Sequence, residues 1–299
     1  MTIKRFVTLK RRGVLRIAGE DRVGFLQGLV SNDVTRVSPE RAIYAAFLTP
    51  QGKYLHDFFI AALGDALVLD CEAERLDDLR RRLSVYRLRT KIAIEDASQQ
   101  LSVAAALGDG TARSLALDGE AGSATPSADG AAFVDPRLAK AGARIIAPPE
   151  AAAAALKAAG FAPSGEADYE KHRLDCGLPD GSRDLVVEKA ILLESNFEEM
   201  NGLDWDKGCY LGQELTARTK YRGLVRKRLI PVTIVGPAPE TGTPVMVGDH
   251  EAGEMRSSFD GLGLALLRVE RIEEAAQSGG RLRAGEATLE PRRAPWAED

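Results

Sequence analysis

Three apolar runs, 42–48, 54–63 and 66–71, are separated by nothing longer than a tight turn, and this spacing restricts the fold more than any other feature of the chain. Thr49-Pro50-Gln51-Gly52 places Pro at the second turn position and Gly at the fourth, and Gly64-Asp65 closes the next corner. Strands joined so briefly pair antiparallel, because a parallel pair needs a crossover of about a dozen residues. The spacing therefore predicts a meander. A helix over about 73–85 follows, with Leu76, Leu79 and Leu83 on one face and Arg80, Arg81 and Arg82 mostly outside. Cys71, in an apolar strand, reads as core. Asp57 stands among Leu55, Phe58, Phe59 and Ile60. Its carboxylate either faces solvent by strand alternation or needs a partner.

On either side of the meander the pattern changes. The stretch from Asp21 to Leu29 carries Val23, Leu26 and Val30 at helical spacing, and its end delivers Ser31-Asn32-Asp33. These polar residues read either as a helix C-terminal turn or as the lining of a pocket. From Ser102 to about Gly165 the chain is rich in Ala, Gly, Asp and Ser, which predicts little packing energy and a mobile surface loop near Gly119 to Gly130. Within it Arg144-Ile145-Ile146 suggests a strand, and 149–159 an alanine-rich helix. A further helix over 166–176 begins with acids that complement its dipole, and carries His172 and Arg173. Beyond Arg228 come short apolar runs, 229–235, 244–247, 253–258, 262–269 and 287–289, set apart by Gly and Pro. Such spacing predicts a small antiparallel barrel or sandwich. The fold class is α+β.

With 299 residues, 44% hydrophobic and 28% charged, the chain has the composition of a globular protein with a sizeable core. Its net charge of -4 argues against nucleic acid or an anionic membrane as partner, and no apolar run approaches a membrane span. The basic start, MTIKRFVTLKRRGVLRIAG, reads as folded rather than as a transit peptide, because Val14-Leu15-Arg16-Ile17 looks like a strand. Cys71, Cys176 and Cys209 are widely spaced and odd in number, which suits a reducing, cytoplasmic location rather than a disulfide framework. A lone His172 without a partner at ligand spacing excludes an ordinary zinc site.

The chemistry concentrates between Asp204 and Arg228. Lys207-Gly208-Cys209-Tyr210-Leu211-Gly212-Gln213-Glu214 sets one thiol between two glycines, two residues after a cation and five before a carboxylate. Arg218, Lys220, Arg222, Arg226, Lys227 and Arg228 follow with no acid between Glu214 and Glu240. Positive charge favours the thiolate, the form that attacks electrophiles and ligates metal. A cysteine is also often a small buried hydrophobe, and a basic run a solvated face, so the residues alone leave both readings open. RNA binding by the basic run is disfavoured, since Tyr221 is its one aromatic.

K-G-C-Y-x-G-Q-E followed by A-R and R-G-x-V-x-K-R-L resembles the signature of the YgfZ family, folate-binding proteins that assist iron-sulfur cluster assembly and repair. The blocks GEDRVGFLQGLVSNDV, AAFLTPQGKYLHD, YRLRTK and GEMRSSFDGLGLALL extend that resemblance over most of the chain. The family in turn resembles the aminomethyltransferase of the glycine cleavage system, which lacks the cysteine. The resemblance implies an aminomethyltransferase-like folate-binding lobe of antiparallel sheets and helices over 1–226, and a C-terminal antiparallel β-barrel over 227–299. It implies Cys209 and Asp57 as the reactive residues, with Lys207, Gly208, Tyr210, Gly212, Gln213 and Glu214 forming the signature loop. Tetrahydrofolate or a derivative would meet Asn32, Tyr44, Asp57, Arg89, Glu194, Arg218 and Arg222, the arginines taking its tail carboxylates. The glutamate and arginine with which the transferases hold the pterin fall near Arg144 and Tyr169, so that clamp is replaced. Because a cluster needs about four ligands, Cys209 would be a single metal ligand, shared transiently with an A-type carrier protein or a client enzyme. The function implied is that of an accessory factor rather than a turnover enzyme; the alternative is a tetrahydrofolate-dependent aminomethyl or one-carbon transferase in which Asp57 orients the donor amine.

Overall fold

The computed structural model describes residues 4–127, 129–223 and 225–297, so the expected domain limits at Met1 and Asp299, and Leu224 of the basic motif, lie outside the described residues. The chain divides into two compact units, residues 1–50, 55–169 and 200–211 in the first, and 51–54, 170–199 and 212–299 in the second.

In the first unit, β1 (Arg5–Thr8) and β2 (Arg12–Ala18) precede α1 (Arg22–Gln27), which is shorter than the helix expected over 21–29. The meander follows as β3 (Ile43–Leu48), β4 (Tyr54–Leu63) and β5 (Ala66–Glu72). A 3-10 turn at Ala73–Arg75 then leads into α2 (Leu76–Tyr86), whose Leu76, Leu79 and Leu83 are buried as their spacing requires. With β6 (Ala93–Asp96) these strands form a five-stranded sheet in the order β3-β4-β5-β2-β6.

The segment expected to pack poorly is in fact the middle of a second sheet. Strand β7 (Ser102–Leu107), a short α3 (Thr111–Ser114), β8 (Ala124–Ser127), β9 (Gly130–Val134), β10 (Ala143–Ala147), α4 (Pro149–Ala158) and β11 (Ala162–Pro163) build a six-stranded sheet with β1, in the order β11-β1-β7-β10-β9-β8. Its core joins Phe6, Ala104, Ala106, Ala132, Val134, Ile145, Ala152, Leu156 and Phe161. Small alanines let α4 sit close on the strands, so close approach replaces side-chain bulk as the source of packing. Ser123, inside the expected surface loop, forms an isolated bridge with Arg41. Helix α5 (Glu166–Asp175) then begins with Glu166 and Asp168 in its first turn.

The second unit holds α6 (Gln213–Tyr221) and the barrel. Its strands are β12 (Lys227–Val235), β13 (Pro244–Val247), β14 (His250–Phe259) and β15 (Leu262–Arg268), followed by α7 (Val269–Ser278), β16 (Leu282–Ala284) and β17 (Ala287–Pro291). They close in the order β12-β15-β14-β13-β16-β17 around Val232, Val245, Met255, Leu267 and Leu289. Closure removes the unpaired edges an open sheet would present. The first barrel strand starts at Lys227, while α7 and β16 had no counterpart in the sequence reading.

Candidate functional site

The loop that carries Cys209 is built on the end of α1. A helix leaves its last carbonyls without intrahelical partners, and cations are favoured there. Lys207 meets this need: its Nζ donates to the carbonyls of Gln27 at 2.6 Å and Val30 at 2.8 Å. Gln27 Nε2 returns a bond to the Lys207 carbonyl at 3.3 Å, and the Leu211 amide donates to Gly28 at 3.1 Å. Both ends of the segment Lys207–Leu211 are thus tied to α1. Tyr210 is buried with the Lys207 ammonium 4.9 Å from its ring centre, whereas Cys209 between them is exposed. Gly208 and Gly212 have φ of +90° and +79°, which a side chain would resist, so the glycines let the chain turn the thiol outward. Burial pushes the Lys207 ammonium down to about 8, against the opposing pull of Asp33 and Asp204. Its charge is committed to backbone carbonyls and the Tyr210 ring. Cys71 and Cys176 are both buried, so Cys209 is the cysteine presented to solvent.

Ser31-Asn32-Asp33 ties the meander to the segment before the loop. Ser31 Oγ donates to the Gly202 carbonyl at 2.6 Å and accepts from the Ala46 amide, while Asn32 Nδ2 donates to the carbonyls of Tyr44 and Asn201, both at 2.7 Å. Asp33 Oδ1 accepts from Gln27 Nε2 at 2.9 Å, which steadies the residue that faces Lys207.

Asp57 is buried, and its carboxylate accepts from the Tyr44 hydroxyl at 2.8 Å. Around this pair lies an ionic lattice that joins the two sheets of the first unit. Arg144 donates through Nη1 to Asp70 at 2.7 Å, through Nε to Asp135 at 3.3 Å and through Nη2 to the Tyr169 hydroxyl at 2.7 Å. Arg12 holds the other oxygen of Asp70, and Arg137 grips Asp135 in two places. The guanidiniums of Arg12, Arg137 and Arg144 stack 5.8, 4.9 and 3.9 Å from the Phe59 ring centre. Burial alone would raise the Asp135 carboxyl, but Arg137 and Arg144 outweigh it and hold the group at about 2. Arg144 and Tyr169, expected near the transferases' pterin clamp, bind one another. Asp70, Asp135, Arg12 and Arg137 carried no periodic signal that sequence reasoning registered.

Glu194 lies in the second unit, in the 3-10 turn Leu192–Ser195. Burial raises its carboxyl, while Lys227, Lys53 and Arg268 act the other way, and no hydrogen bond satisfies it among the described residues. Of the basic run, Lys220 pairs with Glu198 and Arg228 with Glu199, whereas Arg218 and Arg222 are exposed without an ion pair among the described residues. Arg89 is exposed in the turn after α2. Glu194 therefore offers a partly desolvated carboxylate, and Arg218 and Arg222 open guanidiniums able to pair with carboxylates. Asn32, Tyr44 and Asp57 hold hydrogen bonds within the protein.

His172 Nε2 lies 3.8 Å from Cys176 Sγ, one helical turn on, which corrects the expectation that His172 has no partner at ligand spacing. Among the described residues no group of three or more His, Cys, Asp and Glu side chains is placed to hold a metal ion, and no helix is long and apolar enough to cross a membrane.

Residues 226–299 match the CAF17 C-terminal beta-barrel domain. The chain is 34% identical over 291 residues to the mitochondrial iron-sulfur cluster assembly factor IBA57 of Mus musculus, covering 89% of this chain and 78% of the mouse protein. The Homo sapiens protein of that name is 35% identical over 289 residues with the same coverage, and the Mycosarcoma maydis homolog 32% identical over 290 residues, covering 92% and 68%. In three dimensions the chain matches glycine cleavage system aminomethyltransferase T from Bartonella henselae, with a TM-score of 0.78 at 14% identity over 99% of this chain and 87% of that one. The aminomethyltransferase-like α+β fold with a C-terminal barrel is thus the fold expected. The expected cytoplasmic location is overturned: the relatives are named mitochondrial proteins, which points to the mitochondrion instead.

Proposed function

Because the chain belongs to the IBA57 family of iron-sulfur cluster assembly factors, we propose that it assembles or repairs iron-sulfur clusters through Cys209, as the YgfZ-like signature implies. The observation that carries this reading is the loop on α1, which ties Lys207 and Leu211 down and leaves the thiol between them exposed. A cluster needs about four ligands, and this chain offers one. Cys209 therefore loses its proton to solvent and binds one iron of a cluster whose other ligands come from an A-type carrier protein or a client enzyme. The cluster is cargo, passed on rather than retained.

Folate is the small-molecule ligand of this proposal. Tetrahydrofolate, when bound, supplies a reduced pterin able to carry one-carbon units. Glu194 would accept from its N–H groups, and Arg218 and Arg222 would pair with its tail carboxylates. Within the first unit, the Tyr44 hydroxyl fixes the Asp57 carboxylate in one orientation. The one-carbon transferase reading gains less support, since Arg144 and Tyr169 are bonded to each other rather than left open to a pterin.

The test compares wild type with Cys209→Ser. Reduced protein is titrated with tetrahydrofolate, then mixed anaerobically with a cluster-loaded A-type carrier and followed by absorption spectroscopy. Expected are folate binding in both proteins and a partner-dependent cluster spectrum in wild type alone. An identical spectrum from Cys209→Ser would remove Cys209 from the mechanism.

A further inference from the structure

A cavity of about 180 Å³ lies in the first unit, and Asn32, Arg36, Arg41, Pro136, Asn201 and Leu203 are among its lining residues. We propose that this cavity is a binding site for a small oxyanion, a phosphate or a carboxylate, gripped by Arg41 and Arg36.

The donors carry the argument. Arg41 forms no side-chain hydrogen bond or ion pair among the described residues, and its Nε is buried without a partner. A buried donor left unsatisfied costs roughly 1–3 kcal/mol, and more on a charged group, so an arginine in this state calls for an acceptor. Ser123, joined to Arg41 by the isolated backbone bridge, is itself nine-tenths buried and its Oγ also lacks a partner. The unsatisfied donor at the cavity itself is Arg41 Nε, since Ser123 is not one of its lining residues. Arg36 adds a second guanidinium. Its Nη1 is bonded to Asp204 Oδ2 at 3.1 Å, and its remaining nitrogens have no partner among the described residues. Asp204, and Asp33, which interacts with the Arg36 charge, are carboxylates that an incoming anion must tolerate, and Arg41 is the lining cation without an ion pair among the described residues.

The neighbouring amides cannot serve instead. Asn32 Nδ2 is occupied by the carbonyls of Tyr44 and Asn201, and Asn201 Nδ2 by that of Pro136 at 3.1 Å. The remaining walls, Ala42, Ile43 and Leu203, are apolar. A planar guanidinium fork in such surroundings matches the paired oxygens of a carboxylate or phosphate, and partial desolvation strengthens the contact. The volume admits a small anion and falls short of the roughly 300 Å³ where drug-sized ligand pockets begin, so a whole folate is not its occupant.

Calorimetric titration of the full chain at low ionic strength, with inorganic phosphate in one arm and succinate in the other, tests this. Saturable one-to-one binding in either arm is expected, and the arm that saturates identifies the oxyanion. Arg41→Gln should weaken it at least about tenfold, the loss of one charge-assisted contact; Arg36→Gln, at an exposed site, should weaken it in the same direction; and Lys140→Gln, which removes an exposed charge that does not line the cavity, should leave it unchanged. No saturation by about 10 mM in both arms, or equal weakening by Lys140→Gln, would overturn the proposal. Neither result depends on Cys209, so the cluster reading stands or falls separately.

Discussion

Replacing Arg144 by Met distinguishes a lattice that holds the first unit together from a pair of side chains kept open for a ligand. The guanidinium binds Asp70, Asp135 and the Tyr169 hydroxyl, and lies 3.9 Å from the Phe59 ring centre. Met keeps the length and apolar contact of the side chain but leaves two buried carboxylates short of their cation. Both residues are almost fully buried, Asp70 at 0% and Asp135 at 3% exposure, so water cannot replace the lost donor. Removing one member of a buried ion pair while its partner stays costs about 3–5 kcal/mol. Arg12 on Asp70 and Arg137 on Asp135 remain and moderate the loss, which places the expected value near 3 kcal/mol. The chain has two tryptophans, Trp205 in the first unit and Trp296 in the second. In a Trp296→Phe background, urea unfolding followed by Trp205 fluorescence reports the first unit, and the shift in midpoint at constant slope gives the change in stability. A loss below about 1 kcal/mol would refute the argument and show that Arg144 is available to a ligand.

Three further outcomes follow from the same structure. Lys207→Met removes both bonds to the end of α1, and should speed hydrogen exchange at the Leu211 amide severalfold while Cys209 stays exposed; unchanged exchange would mean that the loop does not depend on the lysine. At Gly52, φ is +80° and an added Cβ would stand 2.5 Å from Leu215 Cβ and 2.7 Å from the Gly212 carbonyl, whereas at Gly64, φ +56°, it would meet nothing within 4 Å. Gly52→Ala should therefore cost at least about 1 kcal/mol more than Gly64→Ala in urea unfolding, and equal costs would exclude the clash. Acid should destabilise the first unit: Asp135 is held at about 2 against 3.8 unfolded, so its contribution of about 2 kcal/mol is present above pH 4 and lost as the pH falls through 2. Unfolding free energies that stay level between pH 4 and 2 would contradict that assignment.

Local patterns in the sequence translate faithfully where neighbouring residues decide the outcome. The runs 54–63 and 244–247 became β4 and β13 with the limits their alternation and turns indicate, because Pro-Gly turn chemistry and apolar runs act over a few residues. Strand β7 shows the opposite case. Ser-Val-Ala-Ala-Ala-Leu has strong helix formers, and it is a strand because β1 and β10 flank it and complete its hydrogen bonds. Nothing within the segment announces those partners. Helix α7 was hidden differently, since its first residue, Val269, reads as the end of the preceding strand.

The site divides along the same line. A thiol between two glycines is a local pattern, and it located Cys209. What Lys207 does is not local, because its acceptors Gln27 and Val30 lie 180 and 177 residues away, and only the fold brings the end of α1 to it. A cation two residues before a cysteine suggests direct activation of the thiol; the same cation bound to helix carbonyls and resting on Tyr210 acts on the backbone instead. Sequence spacing therefore identifies which groups share a loop, while the direction in which each side chain works is set by partners from distant segments. Arg144 follows the same rule: its charge is evident from the sequence, but its commitment to Asp70, Asp135 and Tyr169 arises only when β5, β10 and α5 converge. That convergence is why Arg144 serves as a structural tie, and why its removal should be read first as a loss of stability.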